Sequence, residues 1–537
     1  MNKLINALKL HAQHTPSKIA LQSGTPLQGN ESIAKTSQLS YRDLDLTITE
    51  LTHHFIQLKA PVIAVCVENH AAWVVIDLAA AGVKIPLVPI PFFFSAPQQL
   101  HALADAGVNY LITDRPEFYA TLLNEHCIIS QHRFEIAGKS LTEFAFEPKD
   151  KSNAKPISLP VNTAKVTYTS GTTGQPKGVC LSVDHMLAVA QSLKQAVQMQ
   201  SEDVHLCFLP LATLLENIAG IYTPLLAGAT IVLLSADDVG MNLEKANSGG
   251  VNPHKMLLLL NATKATTAIL TPELLLLITR AIEENLEKSF IDSIRKSTAP
   301  PTFLRFLAVG GASISPNLLE RAQLAGLPVF EGYGLSECCS VVALNTLQHY
   351  RIGSVGKPLK HTEIKFAKDG EILVKGSTLL GYTNTKGLSQ ASNQENYLAT
   401  GDIGRLDEQG YLYIIGRKKN IFITSFGRNV SPEWVERELK LSPHIAQAIL
   451  FGEAKPWNTL LVGASGGATS TDIQTAIDAI NQNLPDYARV KQWLYASEPF
   501  TKANGQLTDN GRLRREAIWH CYETQINSLY AELIVKI

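Results

Sequence analysis

The sequence predicts an α/β protein whose large N-terminal part consists of parallel or mixed sheets covered by helices and carries a β-rich subdomain. Short apolar runs alternate with helix-like stretches up to residue 309, the pattern of parallel strands packed under helices. Past about residue 350 the texture changes to short β-prone pieces with turn signals. The 537 residues also exceed the ceiling of about 250–300 for one hydrophobic core, so two or more packed units are expected.

The elements have local causes. Residues 1–10 are amphipathic and too broken for a secretory segment, and residues 71–94 are apolar but interrupted by Asp77, Lys84, Pro86, Pro89 and Pro91, so neither a signal peptide nor a membrane span is expected. Runs at 62–67, 85–88, 110–113, 230–234 and 303–309 read as buried strands. The polar stretch 149–153 reads as a connecting loop. Ser315-Pro316 and Ser431-Pro432 each place a capping hydroxyl ahead of proline at a first helical position. Residues 371–376 and 410–416 are short strands. The cationic turn 416–420 leads into another at 421–424, which suggests a boundary; composition alone reads it as an exposed turn.

Hydrophobic residues at 45% and charged residues at 18% fit a soluble globular enzyme. Lys plus Arg at 47 nearly balance Asp plus Glu at 48, and no basic run is interleaved with aromatics, which excludes a dedicated nucleic-acid binder. The seven cysteines, Cys66, Cys127, Cys180, Cys207, Cys338, Cys339 and Cys521, are scattered and lack metal-ligand spacing, as in a cytoplasmic protein with reduced thiols.

The most informative stretch is Tyr168-Thr169-Ser170-Gly171-Thr172-Thr173-Gly174-Gln175-Pro176-Lys177-Gly178, set between two β-prone runs. Glycines let backbone N–H groups approach an anion, the hydroxyls add short donors, and Lys177 supplies a point charge, so the loop is suited to a polyphosphate such as that of ATP. A Walker loop is disfavoured, because Lys177 is followed by Gly178 where magnesium ligation would need a hydroxyl. A second constellation, Glu331-Gly332-Tyr333-Gly334-Leu335-Ser336-Glu337, offers an aromatic face for adenine, glycines for close approach and a carboxylate for Mg2+. Gly310-Gly311-Ala312 follows an apolar run, where ligands of parallel α/β sheets collect. Asp402 in Thr400-Gly401-Asp402 offers two oxygens to a diol, and Arg417 follows after a Gly-Tyr-Leu-Tyr hairpin.

Together these motifs resemble the adenylate-forming (AMP-binding) acyl-CoA synthetase superfamily over about residues 5 to 518. The resemblance implies an N-terminal domain at 1–416, a small mobile α+β C-terminal domain at 417–537, and a hinge at Lys419. It implies ATP, Mg2+ and either coenzyme A or a carrier-protein phosphopantetheine as cofactors and co-substrates. In such enzymes a carboxylate and ATP give an acyl-adenylate and pyrophosphate, and the acyl group then passes to a thiol.

By the same resemblance Thr169, Ser170, Gly171, Thr172, Thr173, Gly174 and Lys177 hold the polyphosphate, while Gly310, Gly311 and Ala312 line adenine and the acyl carboxylate. Tyr333 stacks on the base within Glu331, Gly332 and Gly334, Ser336 contacts the α-phosphate, and Glu337 binds Mg2+. Asp402 and Arg417 serve the ribose, and Gly427 belongs to a loop that enters the site after rotation to form the thiol tunnel; locally, a glycine turn before a capped helix reads as well.

Two positions depart from the family pattern. Arg512 stands where the family has a lysine that bridges carboxylate and α-phosphate, and a planar fork is not interchangeable with a point charge. Thr213 stands where a histidine or aromatic is usual. The segments 216–220 and 224–229 look most like the long-chain fatty-acid branch; small Ala219 and Gly220 suit either acyl room or helix packing. The expected substrate is a medium- or long-chain fatty acid, with an acyl carrier protein as the alternative acceptor and peripheral membrane contact left open. A reading of another class, a nucleotide or acyl-AMP binding module with impaired adenylation, rests on Arg512.

Overall fold

The computed structural model describes residues 3–24, 37–58, 60–123, 126–148, 159–169, 176–240, 251–289, 300–383, 397–508 and 511–534. The connecting stretch 149–153 lies outside them. Among the described residues the largest sheet has nine strands. Its centre is parallel, in the order Val329–Leu335, Phe306–Val309, Thr267–Leu270, Val204–Cys207, Thr230–Leu233, Ile19–Ser23. Antiparallel strands close both ends.

This sheet is buried on both faces, which explains its short, nearly continuous apolar strands. Cys207, Ile231, Leu233 and Phe306 pack into the core shared with the helices Tyr41–Leu58, Ala71–Val83 and Val183–Val197. The alternate positions Leu206, Val232, Leu307 and Val309 pack against Pro253–Ala262, Pro272–Ser289 and Pro316–Leu324. The expected strand runs appear as Ile63–Cys66, Leu87–Pro89, Tyr110–Thr113, Thr230–Leu233 and Phe306–Val309.

An eight-stranded mixed sheet carries Lys165–Thr169 next to Leu87–Pro89 in parallel and Lys177–Leu181 in antiparallel. The hydroxyl-rich loop therefore joins the two arms of a hairpin. The β-rich segment is a four-stranded antiparallel sheet, in which Leu398–Leu406 and Leu412–Arg417 are neighbours. Beyond it, Ile445–Phe451, Asn458–Ala464 and Val490–Tyr495 form a three-stranded sheet packed with Pro432–Leu439, Ser470–Asn481 and Arg515–Ile534 around separate cores. This is the α+β texture expected of the C-terminal part. Ser315 caps its helix by accepting from Asn317 N at 3.2 Å. Ser431 does not: its hydroxyl donates to Glu433 Oε2 at 3.3 Å, so only the proline signal operates there. Among the described residues no helix is long and apolar enough to cross a membrane.

The apolar run after residue 70 is the helix Ala71–Val83, buried almost all round. Asp77, read from sequence as an interruption, faces Lys165 across the core, with Nζ 2.8 Å from Oδ1. Asn217 and Tyr222, from the π-helix Glu216–Tyr222, donate to Asp77 Oδ2 at 2.9 and 3.0 Å, and Lys165 Nζ donates to both. All four side chains are shut off from solvent. Burial lowers the Lys165 pKa, and Asp77 opposes that shift.

Removing one member of a buried pair strands the other charge. Lys165→Met is expected to cost about 3–5 kcal/mol. Equilibrium denaturation checks this, with the added expectation that Lys165→Met combined with Asp77→Leu recovers part of the loss.

Candidate active site

A cleft opens at the carboxyl ends of the parallel strands, between the large α/β part and the C-terminal part. It is lined by Thr169, Lys177, Gly310, Gly311, Ala312, Glu331, Gly332, Tyr333, Gly334, Ser336, Glu337, Asp402, Arg417, Lys419 and Arg512. Ser170, Gly171, Thr172, Thr173 and Gly174 lie outside the described residues.

Hairpin register explains the spacing of Asp402 and Arg417: they stand directly opposite one another on antiparallel strands. Arg417 Nε lies 2.9 Å from Asp402 Oδ1, and Tyr333 OH donates to Oδ2 at 2.6 Å. Burial raises the Asp402 pKa, with Arg417 and Tyr333 pulling against it. A carboxylate has about four lone-pair positions, so two remain for further donors such as a vicinal diol.

Tyr333 lies on the strand Val329–Leu335, which pairs with Ser340–Leu344 beyond a tight turn. Cys339 and Ser340 in that turn have φ of 53° and 93°, uncommon for side chains other than glycine. Gly334 is required by close approach: a Cβ there would lie 1.6 Å from Ser340 O. Glu337 stands at the start of the turn, half-buried, and accepts from Tyr382 OH at 3.3 Å. Tyr382 was not foreseen from sequence, since an isolated tyrosine in a polar stretch carries no signal.

Gly311 adopts φ 88°, which turns the chain at the strand end. Its carbonyl accepts from Arg512 Nη2 at 3.2 Å, which brings the far end of the chain onto the Gly310-Gly311-Ala312 turn. Arg512 keeps solvent contact through the cleft, yet the surrounding protein lowers its pKa by desolvation, and Arg417 adds to that. It remains a cation at neutral pH. Lys419 is exposed, and its pKa is lowered by partial burial and by Arg417. Gly427 is not brought into the cleft: it sits at φ 72° in an exposed turn, with open space where a Cβ would be.

The deep end of the cleft holds residues that sequence reading passed over. His205 Nδ1 lies 2.9 Å from Thr267 Oγ1 and its Nε2 lies 3.0 Å from Glu216 Oε1, all buried. The only hint was Glu216, a charge inside an otherwise apolar run. Cys207 is near the pair, and burial and Glu216 push its thiol well above its ordinary range. Ala219 lines the cleft, whereas Gly220 serves packing: a Cβ there would lie 2.3 Å from Glu216 Oε1.

The large α/β part, the cleft at the sheet's carboxyl edge and the small α+β part over it form the architecture of an adenylate-forming enzyme. Residues 8–383 match the AMP-binding enzyme family and residues 419–533 match the AMP-binding enzyme C-terminal domain; the chain belongs to that family. It is 27% identical over 525 residues to a long-chain-fatty-acid–CoA ligase of Mycobacterium bovis, covering 85% of this chain and 86% of that protein. It is 28% identical over 466 residues to a 2-succinylbenzoate–CoA ligase of Bacillus subtilis, covering 84% and 86%. The crystal structure of an anthranilate CoA ligase in complex with anthranoyl-AMP superposes with a TM-score of 0.74 at 18% identity, covering 97% of both chains.

Glu331 is buried behind the glycine turn, and desolvation pushes its carboxyl up to about 8, with Arg437 opposing. The folded state therefore holds this proton more tightly than the unfolded chain. That contribution is complete below about pH 4.5 and is lost as pH rises through about 8. Glu331→Gln is expected to flatten the stability profile across this window, with a difference from the parent protein of up to about 4 kcal/mol at its alkaline end. Melting temperatures from pH 5 to pH 9 check it.

Proposed function

We propose that the protein is an ATP-dependent acid–thiol ligase that activates a medium- or long-chain fatty acid as its acyl-adenylate and transfers it to coenzyme A, releasing AMP and pyrophosphate. The observation that carries this is the convergence of Asp402, Tyr333 and Arg417 beside Glu337 with Arg512 seated on Gly311 O. Relatives acting on a fatty acid and on succinylbenzoate support acid activation but differ in acid. The fatty-acid choice rests on the apolar deep cleft, lined by Leu193, Val197, Met199 and Ala219.

In this reading Asp402 accepts from the ribose hydroxyls and Tyr333 covers the adenine within the backbone of Glu331, Gly332 and Gly334. Thr169, Ser170, Gly171, Thr172, Thr173, Gly174 and Lys177 hold the β- and γ-phosphates. Glu337 fits Mg2+: it is a half-buried carboxylate on the cleft wall held by one hydroxyl, and magnesium takes one or two carboxylates alongside phosphate and water. When bound, the ion offsets polyphosphate charge and steadies pyrophosphate as it leaves.

The acid's oxygen attacks the α-phosphorus and the bond to the β-phosphate bridge oxygen breaks. Arg512 spends one N–H on Gly311 O and has others for the carboxylate and an α-phosphate oxygen, and Ser336 on the cleft wall serves the same phosphate. Fixed donors aimed at developing charge supply most of such acceleration. Thiol transfer asks for a different geometry, in which the acyl–phosphate bond breaks and AMP leaves. Gly427 lies outside the cleft, so this arrangement belongs to the adenylating state, and a turn of 417–537 against 1–416 about Lys419 would exchange the Arg512 and Gly427 loops.

Lys177→Ala and Glu337→Ala are each expected to lower acid-dependent pyrophosphate release by about a hundredfold. Arg512→Lys is expected to leave it similar or faster. Assays over fatty and aromatic acids, with coenzyme A or a carrier protein as acceptor, check this: undiminished release by Glu337→Ala would contradict the magnesium role, and no thioester with coenzyme A would contradict the acceptor.

A further inference from the structure

The deep end of the cleft has a floor and a stop. His205, Thr267 and Phe306 are lateral partners on three adjacent parallel strands, so they form one row across the sheet and project from the same face. All three line the cleft, opposite Val197 and Met199 at the end of the helix Val183–Val197 and its following turn. Phe306 lies four residues before Gly310, at whose turn the acid's carboxylate must sit for attack. At about 3.3 Å per strand residue, the row is about 13 Å below that point.

The row is rigid. Both ring nitrogens of His205 are engaged, by Thr267 and by Glu216, and Glu216 Oε2 also accepts from Leu209 N at 3.3 Å. Phe306 stacks flat on Phe330, with ring centroids 4.1 Å apart and an interplanar angle of 2°. Gly220 lets the Glu216 carboxylate reach His205, since a Cβ there would lie 2.3 Å from Glu216 Oε1 and 2.8 Å from His205 Nε2. His205 Nδ1 and Nε2 and Thr267 Oγ1 each already have a partner, so the channel suits an apolar tail that ends before the row.

We infer that the acyl chain runs along this sheet face past Ala219 and is stopped by the His205–Thr267–Phe306 row, which makes the enzyme selective for medium-chain over long-chain acids. The inference rests on the acid-activating function proposed above and narrows its substrate. An extended chain advances about 1.2 Å per bond, so about 13 Å accepts roughly ten bonds. A longer acid must leave methylenes in water or displace a packed aromatic; each excluded methylene is worth about 1–3 kcal/mol in a fitted pocket.

The test is the profile of pyrophosphate release with butanoic, octanoic, decanoic and hexadecanoic acids for the parent protein, Phe306→Ala and Ala219→Phe. The parent is expected to favour octanoic or decanoic over hexadecanoic acid by at least about tenfold in kcat/KM. Phe306→Ala is expected to raise the hexadecanoic-to-octanoic ratio about tenfold, and Ala219→Phe, which fills the channel above the row, to raise the butanoic-to-octanoic ratio by a similar factor. Should Phe306→Ala fail to fold, Ala219→Phe decides. Acids activated with a profile that ignores chain length, or that neither variant moves, overturn the stop alone. Release with no acid at all overturns the acid-activating function and the stop together.

Discussion

The ion pair between Lys165 and Asp77 ties the strand that leads into the hydroxyl-rich loop to the helices beside the cleft. Lys165 opens the strand that runs into the hydroxyl-rich loop, and Asp77 lies on the helix held between the two large sheets. Asn217 and Tyr222 complete the cluster from the π-helix that presents Ala219 to the deep cleft. Two charges without access to water tolerate little displacement, because each shift leaves a desolvated group short of a partner. The strand proposed to lead to the phosphates and the proposed wall of the acyl channel are thereby fixed to one another. In-line attack by a carboxylate on a phosphorus atom needs such registration, since small errors in position cost large factors in rate.

The contacts that hold the C-terminal part over the cleft are of another kind. Ser315 donates to Glu438 at 2.7 Å, Arg280 to Leu441 O at 3.1 Å, Arg437 to Ser313, and Arg512 to Gly311 O. Such polar bonds at a wetted boundary contribute about 0.5–1.5 kcal/mol each and exchange readily with water. The core residues Val435, Leu450, Leu460 and Ile473 belong instead to a cluster of the C-terminal part itself. A part that keeps its own core and touches its neighbour through exchangeable bonds and the partly buried Leu441 can change its docking without unfolding, which suits a reaction with two geometries.

Much of this was legible in the sequence. Strand runs emerged because both faces of the sheet are buried, whereas the pairing of Asp402 with Arg417 depends on a bulge between Ile403 and Gly404 that shifts the hairpin register by one residue. The glycine turns were legible because only glycine fits their backbone, as at Gly311 and Gly334. What escaped was polar pairing across long separations. Asp77 read as a break in an apolar run, whereas its partner Lys165 lies 88 positions away on a strand. His205 sat unnoticed in a β-prone run because its partners come from a neighbouring strand and a π-helix. Ser431 kept its helix start but not its cap, since Glu433 takes the hydroxyl.

The central claim is that a carboxylate oxygen becomes bonded to the α-phosphorus of ATP within this cleft. Supplying octanoic acid with heavy oxygen in its carboxyl group and weighing the AMP formed tests it directly. One labelled oxygen per AMP is the result predicted, because the acyl–phosphate bridge oxygen leaves with AMP when the thiol attacks the carbonyl. Unlabelled AMP formed alongside thioester would contradict it, and would mean that the acid is activated without passing through an adenylate.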